Sequence, residues 1–239
     1  MNLKGVQITW FGHGTFRFRS PEGKLILVDP WVQGNPACPA ELKSVGKLDD
    51  ILITHGHFDH IGDAITVAAE SQPAHIVGVP ELTGWLEGKG VANTVGMNKG
   101  GTFDLGGVAV TMVHADHTCG ITDGDTIVYG GEAVGYVLTF SSGFKAYVAG
   151  DTNVFSDMAI IGDLYHPDVA ILPIGDYFTM GPREAAYAVR LLKVPAVIPA
   201  HFATFPVLTG SPAALRKELS SLGLESVDVV EVKPGQTIS

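Results

Sequence analysis

The stretch THGHFDHIGD, residues 54–63, sets His55, His57, Asp59 and His60 in one short loop. Imidazoles and carboxylates hold divalent cations, so the chemistry this crowding offers is metal binding. From the chain's own His and Asp frequencies, H-x-H-x-D-H would arise by chance in roughly one such sequence in a thousand. Alternate residues of extended backbone point the same way, so His55 and His57 can face one ion. Asp59 and His60 continue round the turn towards a second position. Gly56 between the first two is expected to let the loop turn tightly. The i, i+4 histidine spacing of helical zinc proteases is absent. Four ligands this close exceed what one open catalytic ion takes from a single loop, so two ions are the economical reading.

The other ligands should stand at further strand ends. Asp151, in AYVAGDTN, follows an apolar run and Gly150. A carboxylate buried there is costly unless it caps a helix or meets a cation. His201 follows the apolar run AVIPA. In VTMVHADHTCG, His114 closes a strand, whereas His117 lies in the loop beyond, which suits a ligand better. His13 is expected beside the metals as a supporting or substrate contact, and Asp176 and Thr179 as substrate contacts. Thr179 has a second reading, as the cap of a helix opening at Gly181 and Pro182, whose N-terminus could hold a substrate phosphate or carboxylate. Cys119 reads as a small buried residue, and His75 and His166 as structural.

Something must hold these residues together. Short runs bounded by Gly, Pro or Asp predict strands at 6–11, 16–20, 24–29, 50–54, 75–79, 108–113, 135–140, 145–150, 169–173 and 196–200. Helical patterns cover 60–72, 79–90, 182–193 and 211–223, the last opening on a Ser cap and closing on Gly. Helices fall between strands, so the class is mixed α/β. KLILVDPW followed by DDILITHGHFDH is echoed by KAYVAGDTNVF followed by PDVAILPIGD. Either these are two ordinary βαβ-like units, or the echo describes a duplicated half packed face to face, with a site at the shared mouth of two sheets. No linker separates the halves, so one domain over 1–239 is expected.

Composition narrows the function. Hydrophobic residues make up 46% and charged ones 17%, a core-rich globular balance. The apolar runs are too short to span a bilayer, and the N-terminus reads as a first strand, not a signal peptide. The two cysteines, Cys38 and Cys119, form no C-x-x-C pair, so a disulfide framework is not expected and a cytoplasmic location is. Net charge is −10, with 15 basic residues scattered singly, which leaves no concentrated positive surface for a phosphate backbone. The partner is a small-molecule substrate, with no nucleic acid and no membrane; assembly as a homo-oligomer stays open.

H-x-H-x-D-H, then a lone His, then G-D-T and a final His after a strand resemble the metallo-β-lactamase superfamily, over residues 8–201. GHGTF (12–16), FSDM (155–158), PIGDYFTMGPREA (173–185) and PAHFATFP (199–206) are similar to a branch of bacterial and archaeal metal-dependent hydrolases related to the ascorbate-6-phosphate lactonases. The resemblance implies a four-layer αββα sandwich with metals at one edge. It implies His55, His57 and His117 on metal one, Asp59, His60 and His201 on metal two, and Asp151 bridging both. The branch commonly reads GHS where this chain has GHG, so a supporting hydroxyl is either missing or supplied by Thr15.

The reading is a metal-dependent hydrolase. Two divalent ions, zinc by default and otherwise Mn, Fe, Co or Ni, share a water that attacks a carbonyl or phosphoryl centre of a small, lactone- or phosphoester-type and potentially anionic substrate. Asp59 is the catalytic carboxylate, orienting that water and accepting its proton. A mononuclear-iron persulfide dioxygenase and a non-catalytic binding protein on the same fold are the alternatives. The scattered basic charge sets a first expectation. Binding to duplex DNA or structured RNA is undetectable near physiological salt, and salt-sensitive micromolar binding in a filter assay would overturn it.

Overall fold

The computed structural model describes residues 1–239. The first half runs β1 (Gln7–Gly12), β2 (Thr15–Arg19), β3 (Leu25–Val28), β4 (Asp50–Leu52), α1 (Phe58–Ile61), α2 (Ala64–Ser71), β5 (His75–Gly78), α3 (Pro80–Gly88) and β6 (Thr94–Gly96). The second begins with β7 (Thr102–Asp104), β8 (Val108–His114), β9 (Gly120–Asp123), β10 (Thr126–Tyr129), β11 (Val134–Phe140) and β12 (Lys145–Val148). It continues through α4 (Met158–Tyr165), β13 (Val169–Pro173), α5 (Pro182–Leu192), β14 (Ala196–Ala200), α6 (Pro212–Ser221) and β15 (Asp228–Val229), and β16 (Thr237–Ile238) ends the chain.

Two seven-stranded sheets form, ordered β16-β1-β2-β3-β4-β5-β6 and β15-β14-β13-β12-β11-β8-β7. Strands buried on both faces read as unbroken apolar runs, and VAILP and AVIPA show why. Val169, Ile171, Ile198 and Ala200 enter the core shared by the two sheets. Their neighbours Ala170, Leu172 and Val197 point the other way, into a second core with residues of α4, α5 and α6. On the opposite side α3 lies on β5 and β6. The result is the mixed α/β, αββα sandwich that the sequence leads one to expect.

The internal echo is a true duplication of topology. β1, β2 and β3 pair antiparallel and β3 to β6 pair parallel. β8, β11 and β12 repeat the antiparallel part, and β12 to β15 the parallel part. Two antiparallel steps restore strand direction, so β1 ends on the same sheet edge as β3, β4 and β5. By the same logic β8 ends beside β12, β13 and β14. Every residue singled out for metal chemistry lies just past one of these carboxyl ends.

Three local readings change. The helix over 60–72 breaks at Gly62, because the Asp63 carboxylate accepts from the backbone of Val32 (2.6 Å) and Gln33 (2.7 Å) instead of continuing the turn. The helix α4 was not anticipated. It carries Gly162 where a β-carbon would meet the Leu192 carbonyl oxygen at 2.4 Å, so close packing on α5 placed a poor helix former inside it. The short edge strands and the β9–β10 hairpin were also missed, being too brief for periodicity to register. Ser211 does cap α6, accepting from Ala214 N at 3.2 Å.

Tyr136 on β11 reaches across the interface and donates its hydroxyl to Ile53 O at 2.8 Å, just before the histidine loop. Tyr136→Phe leaves that buried carbonyl short of a donor. The metal-free protein is expected to lose about 1–2 kcal/mol, a fall in Tm of roughly 2–8 °C. Calorimetry of both proteins checks this.

Candidate metal centre

The histidine loop is built outward from the end of β4. Thr54 donates to Asp29, its backbone N–H to Oδ1 and its hydroxyl to Oδ2, both at 2.7 Å. His57 is the N-cap of the single turn α1, which carries Asp59 and His60. Gly56 is needed for a reason other than the one its sequence suggests. It lacks a positive φ, and a β-carbon there would meet Ile121 Cγ1 at 2.5 Å. Gly150 combines both reasons, with φ +63° and Thr54 Cβ 2.8 Å from where its own Cβ would stand. The loop carrying His117 is tied to the strand end carrying Asp151. Thr152 Oγ1 accepts from Asp116 N at 2.9 Å, and Asn153 N donates to Asp116 O at 3.0 Å.

The side chains gather in two groups able to hold an ion: His55, His57 and His117, and His13, Asp59, His60 and His201. Asp151 stands between them. Its Oδ2 lies 3.9 Å from His55 Nε2, 3.7 Å from His117 Nε2 and 3.1 Å from His201 Nε2, and its Oδ1 lies 3.3 Å from His60 Nε2. These approaches are not aligned as hydrogen bonds. Asp151 Oδ1, His60 Nε2 and both ring nitrogens of His201 are buried with no hydrogen-bond partner. Orphaned polar atoms are rare in protein interiors. Converging nitrogens and carboxylate oxygens of this kind fit a divalent cation.

Asp29 was passed over as a site residue, although the echo that pairs it with Asp151 was visible. Its Oδ2 accepts from His60 Nδ1 at 2.7 Å. The Thr54 hydroxyl, committed to Asp29, accepts in turn from His55 Nδ1 at 3.0 Å. In the neutral rings both bonds place the proton on Nδ1, which makes Nε2 the nitrogen offered to the cluster. Asp29 also lies within ligand range of His55 and His60, but its oxygens are spent on three donors.

Electrostatics divide the two groups. Burial lowers the pKa of His55, His57 and His117, helped by neighbouring imidazoles, so these rings are neutral and ligand-ready. Burial acts the same way on His60 and His201, but carboxylates outweigh it. Asp151 and Asp29 push His60 well above the usual range, and Asp151 and Asp59 raise His201 to about 9. The metal-free centre thus demands positive charge that a cation supplies by displacing protons. Asp59 is held well below the carboxylate range: burial opposes this, but His13 and His201 prevail.

A family model described as the Beta-lactamase superfamily domain matches residues 24–202. The chain belongs to the metallo-β-lactamase superfamily. It is 58% identical over all 239 residues to a metal-dependent hydrolase of Koribacter versatilis, covering 100% of both chains. A metal-dependent hydrolase of Solibacter usitatus is 53% identical over 233 residues, 98% of this chain and 99% of the other. Among solved structures, a metallo hydrolase of the archaeon Ignicoccus hospitalis superposes with a TM-score of 0.84 at 33% identity, covering 98% and 97%. At such identity over the full length, this superfamily member shares their class, metal-dependent hydrolase.

His114 ends β8 exposed, edge-on to Phe155 with ring centroids 4.9 Å apart, outside the cluster. His13 joins the cluster, its Nε2 donating to Asp59 Oδ2 at 3.0 Å while Nδ1 accepts from Thr204 Oγ1 at 2.9 Å. Thr15 donates to the carbonyls of Asp29 (2.7 Å) and Trp31 (3.1 Å), so its hydroxyl braces the Asp29 turn and does not face the cluster. At Gly14 a β-carbon would stand 2.5 Å from His60 Cε1, so the glycine lets the His60 ring pack against this turn. Asp176 and Thr179 bond only within their own loop, and Thr179 does not cap α5, whose N-cap is Gly181. Cys119 is a buried thiol pushed up to about 11 by desolvation. His75 pairs with Asp50 at 2.7 Å, and His166 closes α4 in the left-handed region.

Asp29→Asn replaces an acceptor with an amide that donates towards His60. The ring must then move its proton to Nε2, against the cluster. A 10–100-fold loss of metal affinity is expected, read by chelator competition; wild-type affinity would mean that Asp29 does not orient His60.

Proposed function

We propose that this hydrolase works with two divalent ions on a carbonyl or phosphoryl centre of a small molecule. His55, His57 and His117 would hold one ion, Asp59, His60 and His201 the other, with Asp151 shared. The observation that carries the reading is the set of partnerless buried atoms on Asp151, His60 and His201 between the two groups. A one-iron enzyme would leave one group without its cation, and both groups offer ligand atoms. Bound ions would supply an acidified water and a Lewis acid for the substrate oxygen.

The chain's own residues do the rest. Asp59 Oδ2 is engaged by His13, so Oδ1 is the oxygen available to orient an attacking water. The proton released from that water passes to solvent at the open side of the site. His13, held by Thr204, keeps Asp59 in place and is a positioning residue. The all-His and Asp donor set suits Zn, Mn, Fe, Co or Ni, with zinc the default. No helix is long and apolar enough to cross a membrane. We read residues 1–239 as one cytoplasmic catalytic domain with no nucleic-acid partner.

Asp151→Asn keeps size but removes the shared charge. It is expected to bind less than its full complement of metal by elemental analysis and to lose about a hundredfold or more in turnover in a screen of esters, thioesters, lactones and phosphodiesters. Two ions and wild-type turnover in that variant would sink the shared-carboxylate reading. In the same assay His117→Ala should lose an ion while His114→Ala keeps both; equal losses would reverse that assignment.

A further inference from the structure

A cavity of about 560 Å³ opens over the metal centre. Its floor is Asp59, Asp151 and His117, and its walls are Phe58, Phe178, Phe205 and Val207. Three separate loops, following β4, β13 and β14, bring these apolar side chains to one mouth. Phe58 is 58% exposed and Phe178 55% exposed, and Tyr177 stands edge-on beside Phe178 with centroids 4.7 Å apart. Large aromatic surface held in water is unfavourable. The wall is nonetheless braced. Buried Trp31 supports both Phe58 (5.9 Å) and Phe205 (6.1 Å). The loops are also strained: Asp176, Tyr177, His201 and Ala203 all take positive φ. Strain of this sort gathers at functional sites.

The apolar wall of the cavity carries no charged side chain. No lysine or arginine lines the cavity. The N-terminus of α5, the candidate anion seat, is already faced by carboxylates. A β-carbon built on Gly181 would lie 3.1 Å from Glu184 Oε2 and 3.6 Å from Asp176 Cγ. Away from the metal floor, an anionic arm would find no lysine or arginine in the cavity wall to receive its charge.

We infer that the site takes an uncharged acyl compound, an ester, thioester or lactone, whose apolar arm lies on Phe58, Phe178, Phe205 and Val207. This rests on the hydrolytic reading above. Water's oxygen bonds to the acyl carbon as the carbon–oxygen or carbon–sulfur bond breaks, releasing the carboxylate, the alcohol or thiol and a proton; a lactone gives the hydroxy carboxylate and a proton.

Binding and turnover test it separately. Calorimetric titration of the metal-loaded protein compares hexananilide with glutaranilic acid, which is similar in length but ends in a carboxylate. Hexananilide should bind at least tenfold more tightly, and Phe178→Ala should weaken it severalfold. Equal or tighter binding of the carboxylate, or no effect of Phe178→Ala, overturns the inference. In turnover, kcat/KM for p-nitrophenyl esters should rise roughly threefold per methylene from acetate to hexanoate. Phe178→Arg should shift preference towards the p-nitrophenyl monoester of glutarate. A flat series, or a wild-type preference for that monoester or for p-nitrophenyl phosphate, also overturns it. If no ester turns over while hexananilide binds as stated, hydrolysis fails and the apolar, uncharged pocket stands.

Discussion

Two carboxylates from equivalent strand ends converge on one buried imidazole. Asp29 follows β3 and bonds His60 Nδ1 at 2.7 Å; Asp151 follows β12 and lies 3.3 Å from His60 Nε2. All three side chains are buried. Charges taken this far from water are expensive unless paired. The cost is offset only if both halves of the molecule hold their register, because one carboxylate comes from each sheet.

Much of the packing near the site serves that meeting. Gly150 exists because Thr54 comes against it, and Thr54 is where it is because Asp29 holds it. Gly14 leaves room for the His60 ring, and His201 N donates to His13 O at 3.2 Å across the same edge. Small residues at these points are packing requirements of the centre. The Trp10 indole adds a further tie, donating to His13 O at 3.0 Å.

The duplicated sheets and the loops divide the work. Strand ends supply the polar floor, with two groups of donors and the Asp151 carboxylate between them. Loops that differ between the halves supply the walls, where α1 brings Phe58 and the segment after β13 brings Phe178. A frame common to a superfamily thus sets what can be bound at the centre, while the loops set what can approach it.

The residues that gather in the cluster were legible in the sequence because their types are costly to place at strand ends without a purpose, and because H-x-H-x-D-H is too dense to be casual. Strand order was half legible: the Asp-ended echo of 24–60 and 145–176 marks the repeat, and the apolar runs VAILP and AVIPA mark strands buried on both faces. Asp29 stayed hidden as a site residue, since a lone Asp before Pro reads as a turn until Thr54 and His60 are seen against it. The reason for Gly56 was equally out of reach, because it depends on Ile121, from a hairpin sixty-odd residues away. The apolar mouth is a matter of tertiary structure alone. Phe58, Phe178 and Phe205 are scattered along the chain with no common period, and only the stacking of two sheets, edge to edge at their carboxyl ends, turns three loops into one wall.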